Sequence, residues 1–118
     1  MKSLLLVDHG SRRSEANDML EDVARLLRQK RPHLIIHIAH MELAEPTIAQ
    51  GVQACVQNGA TEIIVHPYML SPGRHATQDI PQMAQEAAKA HPNITITTTA
   101  PLGLHEKLAD VVLERSNL

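Results

Sequence analysis

Apolar residues fall into two kinds of run along this chain, short aliphatic blocks and longer stretches with helical spacing. Residues 4–7 are continuously aliphatic, as expected of a strand covered on both faces. After a turn at Gly10, Ala16, Met19, Leu20, Val23, Leu26 and Leu27 recur at helical spacing, which predicts an amphipathic helix. Ser14 is its expected N-cap, and Pro32 its stop. Residues 34–39 read as a second strand. Pro46 suits the first turn of a second helix that carries Ile48, Val52 and Val56, and Asn58-Gly59 closes it.

Residues 62–66 predict a third strand, and a longer loop over 67–74 leads into a helix with Ile80, Met83, Ala84, Ala87 and Ala88 inward. Pro81 restricts that helix to a start nearby or a kink. Residues 94–99 alternate with period two and are rich in β-branched side chains, which predicts an edge strand. Pro101-Leu102-Gly103 then precedes a last helix with Leu104, Leu108, Val111 and Val112 inward. The order βαβαβαβα predicts an α/β fold, a three-layer αβα sandwich around a four-stranded parallel sheet, forming one domain over residues 1–118.

Composition narrows the function. A net charge of −2 provides no basic field for nucleic acid, and Tyr68 is the only aromatic residue, so base-stacking platforms are missing. The first residues hold too short an apolar run for a signal-peptide core or a membrane span, and the single cysteine, Cys55, rules out an internal disulfide. These features predict a cytoplasmic protein with no nucleic-acid or membrane partner. Eight histidines are the compositional anomaly.

Position separates those histidines. In an open α/β sheet, ligands bind at the carboxyl ends of the strands. His9, in Val7-Asp8-His9-Gly10-Ser11-Arg12-Arg13, follows the first strand directly, and His75, in Ser71-Pro72-Gly73-Arg74-His75, opens the third helix. Glu42 and Glu45 follow the second strand, and Glu45 also suits a helix N-terminus as a favourable charge. His40 and His66, near strand ends, are rival ligands or capping groups. Met41 and Met69 read as packing residues, and His33, His37, His91 and His105 as structural or solvated ones. Two imidazoles with at most one carboxylate form an incomplete coordination sphere suited to Fe²⁺, Co²⁺, Ni²⁺ or Zn²⁺, and an open site leaves positions for exchange.

The blocks Val7–Arg13, His40-Met41-Glu42-Leu43-Ala44-Glu45-Pro46, Pro72-Gly73-Arg74-His75 with Asp79-Ile80-Pro81, and Thr99-Ala100-Pro101-Leu102-Gly103 resemble those of the small-type sirohydrochlorin chelatases. This is the CbiX/SirB family of class II chelatases, and the likeness is nearest to the sirohydrochlorin ferrochelatases. The resemblance spans nearly the whole chain. It implies a chelatase lobe that inserts a divalent metal into a tetrapyrrole, with iron favoured and cobalt next, and with release of two protons. It also implies metal held by His9 and His75, and Glu42 as a weaker candidate for ligand or proton acceptor.

Ser11, Arg12 and Arg74 would bind the carboxylates of sirohydrochlorin, with Arg13 a weaker candidate, and Tyr68, Met69 and Leu70 would support the macrocycle. The metal is then substrate, and no permanent cofactor is expected, since the cysteine-bearing extension of some plant-type relatives has no counterpart up to Leu118. Larger chelatases of this kind place two such lobes around one cleft, so a single lobe implies a homodimer with the substrate between subunits. Two other classes stay open on the residues alone. One is a non-catalytic metal or tetrapyrrole carrier. The other is a phosphohistidine phosphatase, suggested by Asp8-His9-Gly10, although the arginine usual before such a histidine is missing.

Overall fold

The computed structural model describes residues 1–118, the side chain of Ala76 excepted. Its strands are β1 (Lys2–Asp8), β2 (Ile35–His40), β3 (Glu62–Pro67) and β4 (Thr95–Thr98), and they alternate with α1 (Ser14–Lys30), α2 (Ile48–Gln57), α3 (Ile80–Ala88) and α4 (Glu106–Arg115). All strand pairs are parallel, in the order β2-β1-β3-β4, so β4 lies at an edge as its period-two pattern predicts.

Alternation along the strands divides the core in two. Leu5, Val7, Ala39, Ile63, Val65 and Ile96 face α2 and α3, whose Ile48, Val52, Cys55, Ile80 and Ala84 complete the larger cluster. Leu6 and Ile36 face the other way and pack on Leu20 and Ala24 of α1. β1 is therefore buried on both faces, which explains its unbroken aliphatic run.

The helix ends obey local chemistry that the sequence reading placed only in part. α2 starts two residues past Pro46, which lies outside the helix after a cis Glu45–Pro46 peptide. Thr47 is the N-cap, and a reciprocal pair with Gln50 forms a capping box that satisfies two orphan N–H groups. Asn58 and Gly59, the latter at φ +96°, close α2 as expected. Ser14 is not the N-cap of α1. Arg13 occupies that position without a side-chain cap, because its guanidinium has no acceptor to offer, and Ser11 and Asn17 bond each other across the preceding loop.

The inward face of α1 is narrower than its apolar pattern suggests: Ala16, Met19 and Leu26 are exposed, and small Ala24 is buried instead. On α3, Met83 is 38% exposed rather than inward. The larger departure is α4. None of its residues is buried, and Leu104, Val111 and Val112 are exposed rather than inward. Backbone bonds from Leu102 and Gly103 to the carbonyls of Met69 and Leu70 fix the start of this segment on the β3–α3 loop, and the helix does not add to either core cluster. The sheet therefore has two helices on one face and α1 alone on the other.

Gly51 sits where α2 crosses the sheet. A Cβ there would lie 2.7 Å from Leu5 Cδ1, 3.0 Å from Ala39 Cβ and 3.2 Å from the Ile38 carbonyl oxygen. Overpacking of this kind costs about 1–3 kcal/mol. Gly51→Ala should lower the urea midpoint correspondingly with an unchanged slope, despite alanine's better helix propensity.

Candidate metal site at the carboxyl edge of the sheet

β1 ends on Asp8, and the next residue is His9. Asp8 and His40 are register partners on β1 and β2, and their side chains meet with Nδ1 of His40 2.6 Å from Oδ1 of Asp8. His40 is 2% exposed, so its imidazole is buried and hydrogen-bonded rather than open to a ligand, while Asp8 is half-buried and lines the recess beside His9. The pair pins the two strand ends together. Above it the backbone continues the link: Met41 N–H donates to the Asp8 carbonyl at 2.9 Å, and Glu42 N–H donates to the His9 carbonyl at 3.1 Å.

This approach is so close that only glycine fits at the next position. Gly10 has φ +89°, and a Cβ on it would overlap the Glu42 carbonyl oxygen. The β1–α1 loop is thus clamped from below and from the side, while the His9 ring stays exposed.

The second histidine arrives by a different route. The helix that becomes α3 begins with a wide π-turn, His75–Asp79, closed by the Ile80 N–H bonding back to the His75 carbonyl. Pro81 cannot donate to a carbonyl of the preceding turn, so the wider turn sits where the helical ladder already lacks a donor. The outcome places the rings of His9 and His75 edge to face, with centroids 4.9 Å apart. Two residues 66 positions apart in sequence, the difference of 75 and 9, therefore meet within one chain. Nδ1 of His75 lies 2.9 Å from Oδ2 of Asp79, which leaves Nε2 open.

The other sequence candidates distribute around this pair. Glu42 is exposed and lines, with His75, Asp79, Met41 and Met83, a groove of about 850 Å³ between α2 and α3. His9 lines a smaller recess of about 320 Å³ with Ser11, Tyr68, Met69 and Leu70. Within it Leu70 is exposed, Tyr68 is half-buried against the α1 cluster, and Met69 is buried in the core. Arg12, Arg13 and Arg74 are exposed, and their side chains make no ion pair among the described residues.

His66 bonds Thr99 through Nδ1 at 2.8 Å, and Glu45 accepts from Gln50 at 2.7 Å. His37 meets the Asn58 side chain at 2.6 Å, and His105 accepts from the Lys107 N–H as the α4 N-cap. Among the described residues, no group of three or more His, Cys, Asp or Glu side chains converges as a metal cage. The close pair is His9 and His75, and it is open. Sequence reasoning missed Asp79 as the partner of His75, although its place one helical turn downstream was the available signal. It also missed the Asp8–His40 pair, which becomes visible only when β2 is aligned beside β1.

The CbiX family model matches residues 3–117. The chain belongs to this family. It is 47% identical over 112 residues to the chloroplastic sirohydrochlorin ferrochelatase of Arabidopsis thaliana, covering 95% of this chain and 50% of that protein. A cobalt complex of the sirohydrochlorin chelatase SirB from Bacillus subtilis subspecies spizizenii superposes with TM-score 0.90 at 34% identity, covering 98% of this chain and 50% of that one. A CbiX protein from Marinobacter aquaeolei VT8 superposes with TM-score 0.81 at 29% identity, covering 99% of this chain and 98% of that one. The chain spans about half the length of the first two relatives, and the fold matches the expected chelatase-type α/β architecture.

Burial pushes the His66 imidazole below its ordinary value. Its folded form favours the neutral ring, so its contribution to stability is present above the unfolded value near 6.5 and is lost as pH falls towards the depressed folded value. Urea midpoints at about pH 7.5 and about pH 5.5 should therefore differ more for the native sequence than for His66→Gln. An equal difference would refute the effect.

Proposed function

We propose that this chain, acting as one domain, is a sirohydrochlorin chelatase that inserts Fe²⁺, or Co²⁺ on the alternative route, into the macrocycle. The observation that carries the reading is the His9–His75 pair. It presents two imidazoles from separate loops, 4.9 Å between centroids, at the carboxyl edge of a CbiX-family sheet. Naming of relatives as sirohydrochlorin ferrochelatase and as a cobalt-bound sirohydrochlorin chelatase supports the substrate and the metals. The phosphohistidine alternative gains no support from this family membership.

Metal and tetrapyrrole are both substrates here. Two neutral imidazoles bind a divalent ion without completing its coordination, so the remaining positions stay available to ring nitrogens. Insertion replaces the two imidazoles with four pyrrolic nitrogens and releases two N–H protons. An imidazole freed of metal is a competent acceptor near neutral pH, and Glu42, which lines the same groove as His75, is the second candidate. Arg12 and Arg74, exposed and without ion pairs among the described residues, are suited to substrate carboxylates, with Ser11 as a further donor. The apolar contact would come from Tyr68 and Leu70 at the surface, with buried Met69 beneath them.

The site lies open on its outer side, and we assign the closing wall to a second copy of the chain. The exposed Val111 and Val112 of α4, with Leu104 just ahead of that helix, support this, because an amphipathic helix with no buried residue needs an apolar partner.

Anaerobic sirohydrochlorin with Fe²⁺ or Co²⁺ should show the absorbance change of metallation faster with protein than without. His9→Ala and His75→Ala should each lose more than the roughly tenfold that loss of an outer-sphere partner costs. Metal binding with insertion at the spontaneous rate would identify a carrier instead. For the assembly, light scattering at micromolar concentration should give a dimer that Val111→Asp with Val112→Asp dissociates. Monomer alone in the native sequence would remove the shared cleft.

A further inference from the structure

We propose that Asp79 is the positioning residue of the metal site: it fixes the His75 ring so that Nε2 is its only nitrogen free for metal. The inference rests on the reading that His9 and His75 hold the ion, and it adds an inequality between them. A carboxylate only accepts hydrogen bonds, so the contact of 2.9 Å between Asp79 Oδ2 and His75 Nδ1 puts the ring hydrogen on Nδ1. The lone pair available for coordination is then on Nε2. Such a carboxylate–imidazole contact also fixes ring rotation and raises the basicity of the coordinating nitrogen.

The support is stiff because of where Asp79 stands. It is the last residue of the π-turn, and the next residue, Ile80, is fully buried in the larger core cluster. The His75 carbonyl accepts the closing bond of that same turn from the Ile80 N–H. Side chain and backbone of His75 are thus both tied to residues 79 and 80, at the root of α3. His9 differs: among the described residues, no hydrogen bond holds either of its ring nitrogens, and only its backbone is clamped. One imidazole is anchored by a hydrogen bond, and the other, among the described residues, is held only by its edge-to-face contact with the first. For an ion that must be released, this makes His75 the ligand that keeps the metal in register and His9 the one that lets go first.

Titration of the protein with Co²⁺ alone, followed by visible absorption, separates the roles. Asp79→Ala should weaken Co²⁺ binding about 10–100-fold, with a melting temperature close to that of the native sequence, because the lost contact is part-exposed. Asp79→Asn should recover most of the affinity, since its amide oxygen can still accept from Nδ1–H. His75→Ala should abolish the cobalt spectrum in either background. Native affinity in Asp79→Ala, with binding lost in His75→Ala, would overturn the positioning role while leaving the metal site intact. Equal weakening in the Asn and Ala variants would overturn it too, because it would make the carboxylate itself a ligand. Full Co²⁺ affinity in both His9→Ala and His75→Ala would dismiss the metal site and this inference with it.

Discussion

The part-buried contact between Asp8 and His40 is the constraint on which the carboxyl edge of the sheet depends. It joins the last residues of two neighbouring parallel strands, 2.6 Å apart, where the ladder of backbone bonds is about to end. Two polar groups so placed would be costly if either were left unpaired, and together they satisfy each other. The pair holds the strand ends at one height, which lets the Met41 and Glu42 N–H groups reach the Asp8 and His9 carbonyls. That reach in turn brings the Glu42 carbonyl against the Gly10 backbone, in a space that admits no side chain. His9 is therefore presented by a loop without freedom of its own.

The same logic extends across the sheet. Tyr68 N–H donates to the Val7 carbonyl at 2.7 Å, and Leu102 and Gly103 donate to the carbonyls of Met69 and Leu70. Each loop at this edge is bonded to a neighbour, so the edge behaves as a connected rim above a rigid sheet. Imidazoles mounted on that rim gain definition from backbone bonds rather than from burial, and their rings stay accessible. A site that exchanges its ligand needs this combination: rigid supports and exposed donor atoms.

Much of this was legible in the sequence because period and punctuation carry it. The aliphatic block over residues 4–7, the Asn58-Gly59 closure and the period-two edge strand follow from local chemistry and appear where expected. His9 and His75 were legible from their places after a strand and before a helix. Their contact was not, since it depends on the relative height of β1 and α3. The role of His40 was hidden for the same reason: a strand-end histidine reads alike whether it turns to solvent or to the adjacent strand. The start of α3 resisted reading because Pro81 forbids ordinary helical bonding just where the chain must turn, and the π-turn is the local answer. For α4 the pattern was right and its meaning was not. Periodicity shows that a helix has an apolar face, but it does not say which surface that face meets.

The unfilled coordination at His9 and His75 and the uncovered stripe on α4 belong together under the chelatase reading. Two imidazoles alone hold a divalent ion loosely, which favours transfer but also favours loss to water unless the outer side of the site is closed. An amphipathic helix with no buried residue carries apolar area whose burial elsewhere would be worth about 25 cal/mol for each Å² removed from water. The start of α4 is bonded to the same rim that carries the histidines, through residues 102 and 103. A surface that covers this helix is thereby brought close to the open side of the His9–His75 pair. On that reading, association and completion of the site would be one event, and a metal would need to be retained only while the macrocycle is enclosed.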